Sequence, residues 1–290
     1  MSKSLNQTYT LLDSGHGKKL EKFGPYVIVR PCAQAVWNPA LTPAVWAKAD
    51  AAFTRESDTK WSKTGHLPDS WEITVAGITF KISPTDFGHL GIFPEQKRFW
   101  EWIQEIVHQA KISDKRSSVS VLNLFAYSGG STLAAAKGGA QVCHLDASKG
   151  IVGWARDNAA LSGLSDAPIR WIVDDVSKFL AREVRRGVRY DAIILDPPSF
   201  GRGSRGEVFK IEDNLQTILA DCQALLSDHP LFILFSCHSP GFSPIVMEHL
   251  IRQMMAKYSG TIDTGEMLLL GNGDTLPLPS GVYARWQCGK

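Results

Sequence analysis

The sequence predicts an α/β fold: a mostly parallel sheet with a terminal antiparallel β pair, preceded by a small β-rich N-terminal domain. Two observations predict this architecture. From about residue 119 onward, short apolar segments alternate with helical patterns, which is typical of βαβ units. In addition, glycine or aspartate follows four successive apolar segments, at the positions where parallel strands would end.

Local signals define the elements of the larger part. Parallel strands are predicted at 119–125, 141–145, 169–173, 190–195 and 231–236, and the terminal pair at 265–270 and 281–286. Helices are predicted at 131–137, 148–161, 176–186, 215–226 and 245–258. Gly138 and Gly139 end the first helix, and Ser148 is a suitable N-cap for the second, because its hydroxyl can accept from a free N–H group.

Residues 1–112 have a different pattern and are predicted to form a β-rich cap with a connecting helix, which leaves 113–290 as the second domain. A strand is expected at 26–30 and a hairpin at 71–82, turning at Ala76-Gly77. Pro94 opens an amphipathic helix that runs to about residue 110. The polar segment that follows is expected to link the two domains.

Composition excludes several classes of protein. With 44% hydrophobic and 21% charged residues, the 290-residue chain has the composition of an ordinary globular protein. A net charge of +2 indicates no general attraction to polyanions, so any nucleic-acid surface must be a local patch. The cysteines and histidines lack disulfide-framework or metal-ligand spacing, so we expect reduced thiols and no metal. Without a long apolar segment or a signal peptide, the chain is expected to be cytoplasmic and not membrane-bound.

The loop after the first parallel strand contains the pair Gly129-Gly130. Adjacent glycines let a ligand approach the backbone and leave N–H groups of the next helix free to bind it. A third glycine at the dinucleotide spacing is missing, which disfavours NAD or FAD and suits a ligand with a carboxylate at this position. Taken alone, such a pair is more often than not only a turn.

Aspartates follow the next three strands. Asp146 can accept both hydroxyls of a ribose. Asp174 and Asp175 can accept the exocyclic amine of an adenine, although one of them is expected to cap the following helix. Asp196 opens the segment Asp196-Pro197-Pro198-Ser199-Phe200, where the strand must end because proline donates no backbone hydrogen bond. Together these positions indicate a ligand with a nucleoside and a carboxylate, lying across the edge of the sheet.

At these positions the sequence resembles the class I S-adenosylmethionine-dependent methyltransferases, whose sheet is Rossmann-like. Within that class it resembles the ribosomal-RNA large-subunit group, which includes the 23S rRNA cytosine-C5 enzymes. The resemblance is carried by segments 87–96, 122–130, 144–149, 154–158, 175–180 and 196–200. Many members of the group carry an N-terminal RNA-binding PUA domain, which residues 1–85 do not obviously make.

The resemblance implies S-adenosylmethionine as cofactor and a base in RNA, above all ribosomal RNA, as substrate and partner. It implies that the Ser128 loop contacts the methionine part, that Asp146 and Asp175 bind ribose and adenine, and that residues 196–199 form the methyl-transfer face. The predicted cofactor-binding residues are Phe125, Tyr127, Ser128, Gly129, Gly130, Asp146, Ala147, Ser148, Asn158, Asp174, Asp175 and Asp196. The predicted catalytic residues are Asp196, Pro197, Pro198, Ser199 and Cys237.

Two acceptor atoms remain open. For an exocyclic amine, backbone carbonyls of the proline loop would position the nitrogen. For carbon 5 of a cytosine, a thiolate must attack the base, and Cys237 at the end of the fifth strand is the candidate, although a cysteine there can also be a small core residue. A small-molecule or protein methyltransferase, and a cofactor-binding module without turnover, are the alternative functions.

Basic residues lie in two segments near the predicted site. The first segment carries Lys178, Arg182, Arg185, Arg186 and Arg189, and the second carries Arg202, Arg205 and Lys210. Contact with RNA phosphates is one interpretation, and a solvated helix face is the other for the first segment. Phe200 could stack on an extruded base or simply pack.

Overall fold

The computed structural model describes residues 8–54, 60–64, 67–112, 117–202 and 208–289. The chain divides into two compact units: Met1–Lys97 with Leu268–Ser280, and Arg98–Met267 with Gly281–Lys290. The predicted boundary after residue 112 differs from this division, because the helix that follows Pro94 is counted almost wholly with the second unit. Its aromatic residues explain why: Trp100 packs on Gly130, and Trp102 contacts Phe232 with ring centroids 5.0 Å apart.

The first unit contains a five-stranded sheet in the order β1-β2-β3-β4-β5 and a separate hairpin. Its strands are β1 (Tyr9–Gly15), β2 (Lys18–Phe23), β3 (Tyr26–Pro31), β4 (Ala51–Thr54) and β5 (Lys60–Lys63), with a short helix α1 (Pro43–Trp46). The predicted hairpin forms as β6 (Trp71–Val75) and β7 (Ile78–Ile82). Ala76 and Gly77 both have positive φ, 52° and 69°, as a two-residue hairpin turn requires.

Four strands of the first unit were not predicted from the sequence. β2 shows the reason, since its sequence Lys-Lys-Leu-Glu-Lys-Phe has no plain apolar alternation. The acidic side chain of Glu21 is nevertheless fully buried in this strand, where Arg30 of β3 donates to both of its carboxylate oxygens, from Nε at 2.7 Å and from Nη2 at 2.8 Å. An ion pair thus takes the place that an apolar residue would hold, and sequence patterning does not reveal it.

The second unit is built on a seven-stranded sheet in the order β10-β9-β8-β11-β14-β16-β15. Its strands are β8 (Ser120–Leu124), β9 (Gln141–Asp146), β10 (Ile169–Val173), β11 (Ala192–Leu195), β14 (Phe232–Cys237), β15 (Gly260–Leu269) and β16 (Leu278–Cys288). The first five pair in parallel, and β16 pairs antiparallel with β14. The predicted fold class is confirmed.

Helices pack against this sheet. They are α2 (Lys97–Ile112), α3 (Gly130–Gly138), α4 (Lys149–Leu161), α5 (Val176–Arg185), α6 (Ile211–Ala224) and α7 (Pro244–Met254). Pro94–Gln96 forms a 3-10 turn before α2, so the α-helix begins at Lys97, three residues after its predicted start at Pro94. Ser148 caps α4 as predicted, accepting from Ile151 N. The described helices are each too short or too polar to cross a lipid bilayer.

Between β11 and α6 the chain forms a small hairpin, β12 (Phe200–Arg202) and β13 (Val208–Lys210). Since β8, β9, β10, β11 and β14 run in parallel, their carboxyl ends lie along one edge of the sheet. Every residue predicted for the site ends or follows one of these strands, or lies in the helix after one, so the topology gathers them at that edge.

Candidate active site

The loop after β8 has an unusual backbone. Phe125 and Tyr127 have φ values of 55° and 48°, a region that non-glycine residues rarely adopt, and Gly129 follows at 92°. Two contacts with β9 hold this conformation: Ala126 N donates to Leu145 O, and Tyr127 N donates to a carboxylate oxygen of Asp146 at 3.0 Å. Strain of this kind persists where the surroundings over-determine it and is frequent at binding sites.

The two glycines of the loop are required for different reasons. A Cβ on Gly129 would lie 3.1 Å from the Cβ of Ala155, and its positive φ disfavours other residues. A Cβ on Gly130 would lie 2.5 Å from the indole ring of Trp100. Gly130 is therefore needed by the packing of α2 on α3, whereas Gly129 is needed for the turn that opens the helix.

Asp146 is the centre of the hydrogen bonding at this edge. One of its oxygens accepts from Tyr127 N at 3.0 Å and the other from Ser148 N at 2.9 Å. Burial raises the pKa of this carboxyl group, although the backbone N–H groups of Ser148, Tyr127 and Ala147 act in the opposite direction. The carboxylate thus couples the loop after β8 to the start of α4.

Asn158 and Ser128 lie together beneath the loop. The side-chain amide of Asn158 is fully buried and donates to the carbonyl oxygen of Ser128 at 2.9 Å. This contact fixes the backbone that precedes Gly129. In this arrangement Asn158 positions the loop from below.

The two aspartates after β10 have separate partners. Asp175 is the N-cap of α5 and accepts from Lys178 N at 2.9 Å. Asp174 accepts from Asp175 N at 2.9 Å and forms an ion pair with Arg182 of α5. The capping role expected for one of the pair therefore falls to Asp175, the residue that the resemblance assigns to the adenine.

The proline loop after β11 lies beside the end of β14. Pro197 is buried, while Pro198, Ser199 and Phe200 are exposed. Ser199 Oγ lies 2.7 Å from the Oγ of Ser239, and Asp196 Oδ1 lies 3.3 Å from Nδ1 of His238. These two contacts join the methyl-transfer face predicted at 196–199 to the loop that follows β14.

The catalytic role of Cys237 stays a prediction, and the residue is surrounded like a core side chain. It is fully buried, belongs to the apolar cluster between the sheet and helices α5 to α7, and accepts from Ser239 N at 3.4 Å. Burial raises the pKa of its thiol. Both effects oppose formation of a thiolate that is accessible to a nucleobase of the substrate. All five cysteines carry free thiols.

Sequence reasoning missed a buried polar network behind the glycine loop. Asn123 Nδ2 donates to Thr132 Oγ1 at 2.9 Å, and Thr132 Oγ1 lies 2.9 Å from His144 Nδ1. Among the described residues His144 Nε2 has no hydrogen-bond partner, and burial lowers the pKa of this imidazole to about 3. A polar residue inside each of two apolar strands, Asn123 in β8 and His144 in β9, was the available signal.

Several of the basic residues predicted to contact RNA have carboxylate partners. Arg182 pairs with Asp174, and Arg186 Nη1 lies 3.2 Å from an oxygen of Glu183. Lys210 is exposed at the start of α6. Arg205, the glycines at 203 and 206 and the side chain of Arg202 lie outside what the structure describes. Phe200 is 52% exposed, and Phe209 of β13 packs on Phe125 with ring centroids 5.2 Å apart.

Comparison with known proteins identifies the family. The family model described as "S-adenosylmethionine-dependent methyltransferase" matches residues 42–254. The chain belongs to this family. The predicted class and the predicted cofactor, S-adenosylmethionine, are thereby confirmed. Within the described ranges, no group of three or more His, Cys, Asp or Glu side chains is arranged to hold a metal ion.

Individual relatives agree with this assignment. The crystal structure of a SAM-dependent methyltransferase from Agrobacterium tumefaciens superimposes with a TM-score of 0.92 and 39% identity, covering 99% of this chain and 93% of that one. Ribosomal RNA large subunit methyltransferase K of Neisseria meningitidis is 27% identical over 83% of this chain and 69% of its own. The K/L protein of Marinobacter nauticus is 30% identical over 62% of this chain, which spans 24% of that relative.

Proposed function

We propose that this protein transfers the methyl group of S-adenosylmethionine to a base in ribosomal RNA. The observation that carries the proposal is the gathering of the Gly129 loop, Asp146, Asp175 and the proline loop along one edge of a parallel sheet. Relatives named as ribosomal RNA large subunit methyltransferases support the substrate class.

The groups at this edge fit the cofactor. Gly129 is the N-cap of α3, and the N–H groups at this helix N-terminus favour the carboxylate of the methionine part. The backbone N–H groups of Tyr127, Ser148 and Ala147 act on Asp146, and a carboxylate offers about four acceptor sites, so ribose hydroxyls remain possible donors. Asp174 and Asp175 supply acceptors for an adenine amine. When bound, the cofactor supplies an electrophilic methyl group on a cationic sulfur.

A nitrogen acceptor is favoured over carbon 5 of a cytosine. The carbon mechanism needs an accessible thiolate, and Cys237 is fully buried with a raised thiol pKa. The proline loop instead offers polar groups, namely the carboxylate of Asp196 and the hydroxyl of exposed Ser199. Positioning and electrostatics would supply most of the catalysis at such an acceptor.

Nucleoside mass spectrometry of ribosomal RNA tests the proposal. RNA from cells lacking the protein should lack one N-methylated nucleoside, which the purified protein and S-adenosylmethionine should restore in vitro. Loss of 5-methylcytidine instead would transfer the chemistry to Cys237. Unchanged rRNA, together with methylation of a protein or small molecule, would replace the RNA substrate, and binding of S-adenosylmethionine without any turnover would leave a binding module.

A further inference from the structure

Two side-chain contacts join the loops that follow β11 and β14. The strands are parallel neighbours with Leu195 opposite Phe235. Beyond their ends, Asp196 Oδ1 approaches Nδ1 of His238 to 3.3 Å, and the hydroxyl oxygens of Ser199 and Ser239 lie 2.7 Å apart. A histidine and a carboxylate are thereby held together beside the proline loop.

His238 lies where a substrate can reach it. Its neighbour Cys237 is buried in the apolar cluster, whereas the His238 side chain is 34% exposed and that of Asp196 is 27% exposed. Gly281 of β16 makes room for the ring, because a Cβ at that position would come within 3.0 Å of His238 Cδ2. The proline loop, the end of β14 and Gly281 of β16 therefore meet at this imidazole.

We propose that His238 accepts the proton that the acceptor nitrogen loses during methyl transfer, and that Asp196 orients the ring. The negative charge of Asp196, whose Oδ1 lies 3.3 Å from Nδ1, favours a proton on that nitrogen, which makes Nε2 the basic atom. An aspartate that fixes a histidine in this way also stabilises the imidazolium that forms. The inference deepens the proposed function and rests on it.

The step balances as follows. The lone pair of an amine nitrogen forms the new bond to the methyl carbon, while the bond from that carbon to sulfur breaks and its electron pair stays on sulfur. S-adenosylhomocysteine leaves neutral at sulfur, and the nitrogen carries the positive charge. Nε2 of His238 then takes one N–H proton, which gives a neutral methylamine and an imidazolium, and the imidazolium returns its proton to water.

The chemistry narrows the acceptor class. A ring nitrogen without hydrogen becomes a stable cation on methylation and needs no base, so a base at this position is useful for an acceptor that carries N–H. Exocyclic amines of guanine, adenine and cytosine meet this requirement.

His238→Gln is the test, with His249→Gln as its matched control, because His249 is an exposed histidine within α7. The substrate is RNA from cells lacking the protein, with radiolabelled S-adenosylmethionine as donor. We expect kcat to fall about 100-fold or more in His238→Gln, with S-adenosylmethionine affinity and KM for RNA within about threefold of wild type. The control should keep wild-type kinetics.

Two further readouts separate proton transfer from a structural role. The described titratable groups beside the imidazole are the carboxylate of Asp196 and the thiol of Cys237, whose pKa is raised by burial, and β16 presents Gly281. We expect the wild-type rate to fall on the acidic side of neutrality and this limb to be lost in His238→Gln. Added imidazole should partly restore His238→Ala but not Asp196→Ala.

The outcomes distinguish this inference from the function on which it rests. Wild-type activity on RNA with a His238→Gln rate and pH profile like those of the control would overturn the role of His238 alone. A product methylated at a ring nitrogen that carries no hydrogen would do the same. No methylation of RNA by the wild-type protein would overturn both.

Discussion

Glu21 in the first unit and Asp146 in the second are both carboxylates sheltered from water, but the groups that contact them differ. Burial would raise the pKa of Glu21, yet the nearby Arg30 and Lys19 hold it below its ordinary value. Asp146 accepts from backbone N–H groups, and burial raises its pKa. An acid neutralised by a buried cation is already satisfied, whereas an acid held by N–H groups keeps charge and lone pairs that a ligand can use. We therefore interpret the first arrangement as structural and the second as a binding group.

The largest effect is expected where the first unit's ion pair is broken. Arg30→Ala would leave Glu21 buried without its main cation, so the free energy of unfolding should fall by about 3–5 kcal/mol. Urea unfolding followed by circular dichroism measures this. Arg252→Ala, which breaks the exposed pair with Glu248, should cost less than about 1 kcal/mol. Equal losses in the two variants would remove the distinction between the pairs.

Low pH should destabilise the protein through His144, the buried histidine of the second unit. The pKa of His144 is lowered to about 3 by burial, from 6.5 in the unfolded chain, so between these values the unfolded chain binds one proton more. Its contribution to the unfolding free energy is complete above pH 6.5 and is lost as the pH falls toward 3, by up to about 1.4 kcal/mol per pH unit. His144→Gln should lack this part of the slope between pH 6 and 4. Parallel curves for variant and wild type would contradict the assignment.

Asp146→Asn tests whether the carboxylate of Asp146, unlike that of Glu21, serves in ligand binding. Each oxygen of Asp146 accepts from a backbone N–H, so an amide would turn its NH2 toward Tyr127 N or Ser148 N and displace the loop. We expect S-adenosylmethionine to bind about 10- to 100-fold more weakly by calorimetry, which is roughly 1.5–3 kcal/mol. Asp228→Asn, at an exposed position before β14, should bind normally. Full affinity in Asp146→Asn would exclude this carboxylate from the cofactor site.

The smallest expected effect concerns Asp175, which could be both a structural residue and a cofactor-binding residue. Asp175 is the N-cap of α5, so the substitution Asp175→Ala should lower the free energy of unfolding by about 1 kcal/mol. Asp175→Asn should lower it almost not at all, because asparagine caps equally well. If Asp175 also binds the cofactor, Asp175→Asn should keep its stability but bind S-adenosylmethionine more weakly. Normal affinity in the asparagine variant would leave Asp175 a capping residue alone.

Prediction from sequence succeeded where one local signal controls the outcome. The strands of the second unit, the Ser148 cap and the Ala76-Gly77 turn follow from apolar segments, a hydroxyl and a glycine. It failed for β1, β2, β4 and β5; in β2 the buried Glu21, paired with Arg30 of β3, interrupts the apolar period. Gly130 shows an intermediate case: its place was predicted, but the contact that requires it comes from Trp100, thirty residues earlier in the chain.

The sequence by itself determined the α/β class, the family resemblance and the set of strand ends at which ligand chemistry is expected. A parallel sheet requires these ends to meet at one edge, so that much followed from the order of the elements. Only the tertiary structure decided what each side chain does there, because direction and depth depend on contacts between distant segments. Those contacts buried Cys237 and brought His238 beside Asp196, 42 residues earlier in the chain.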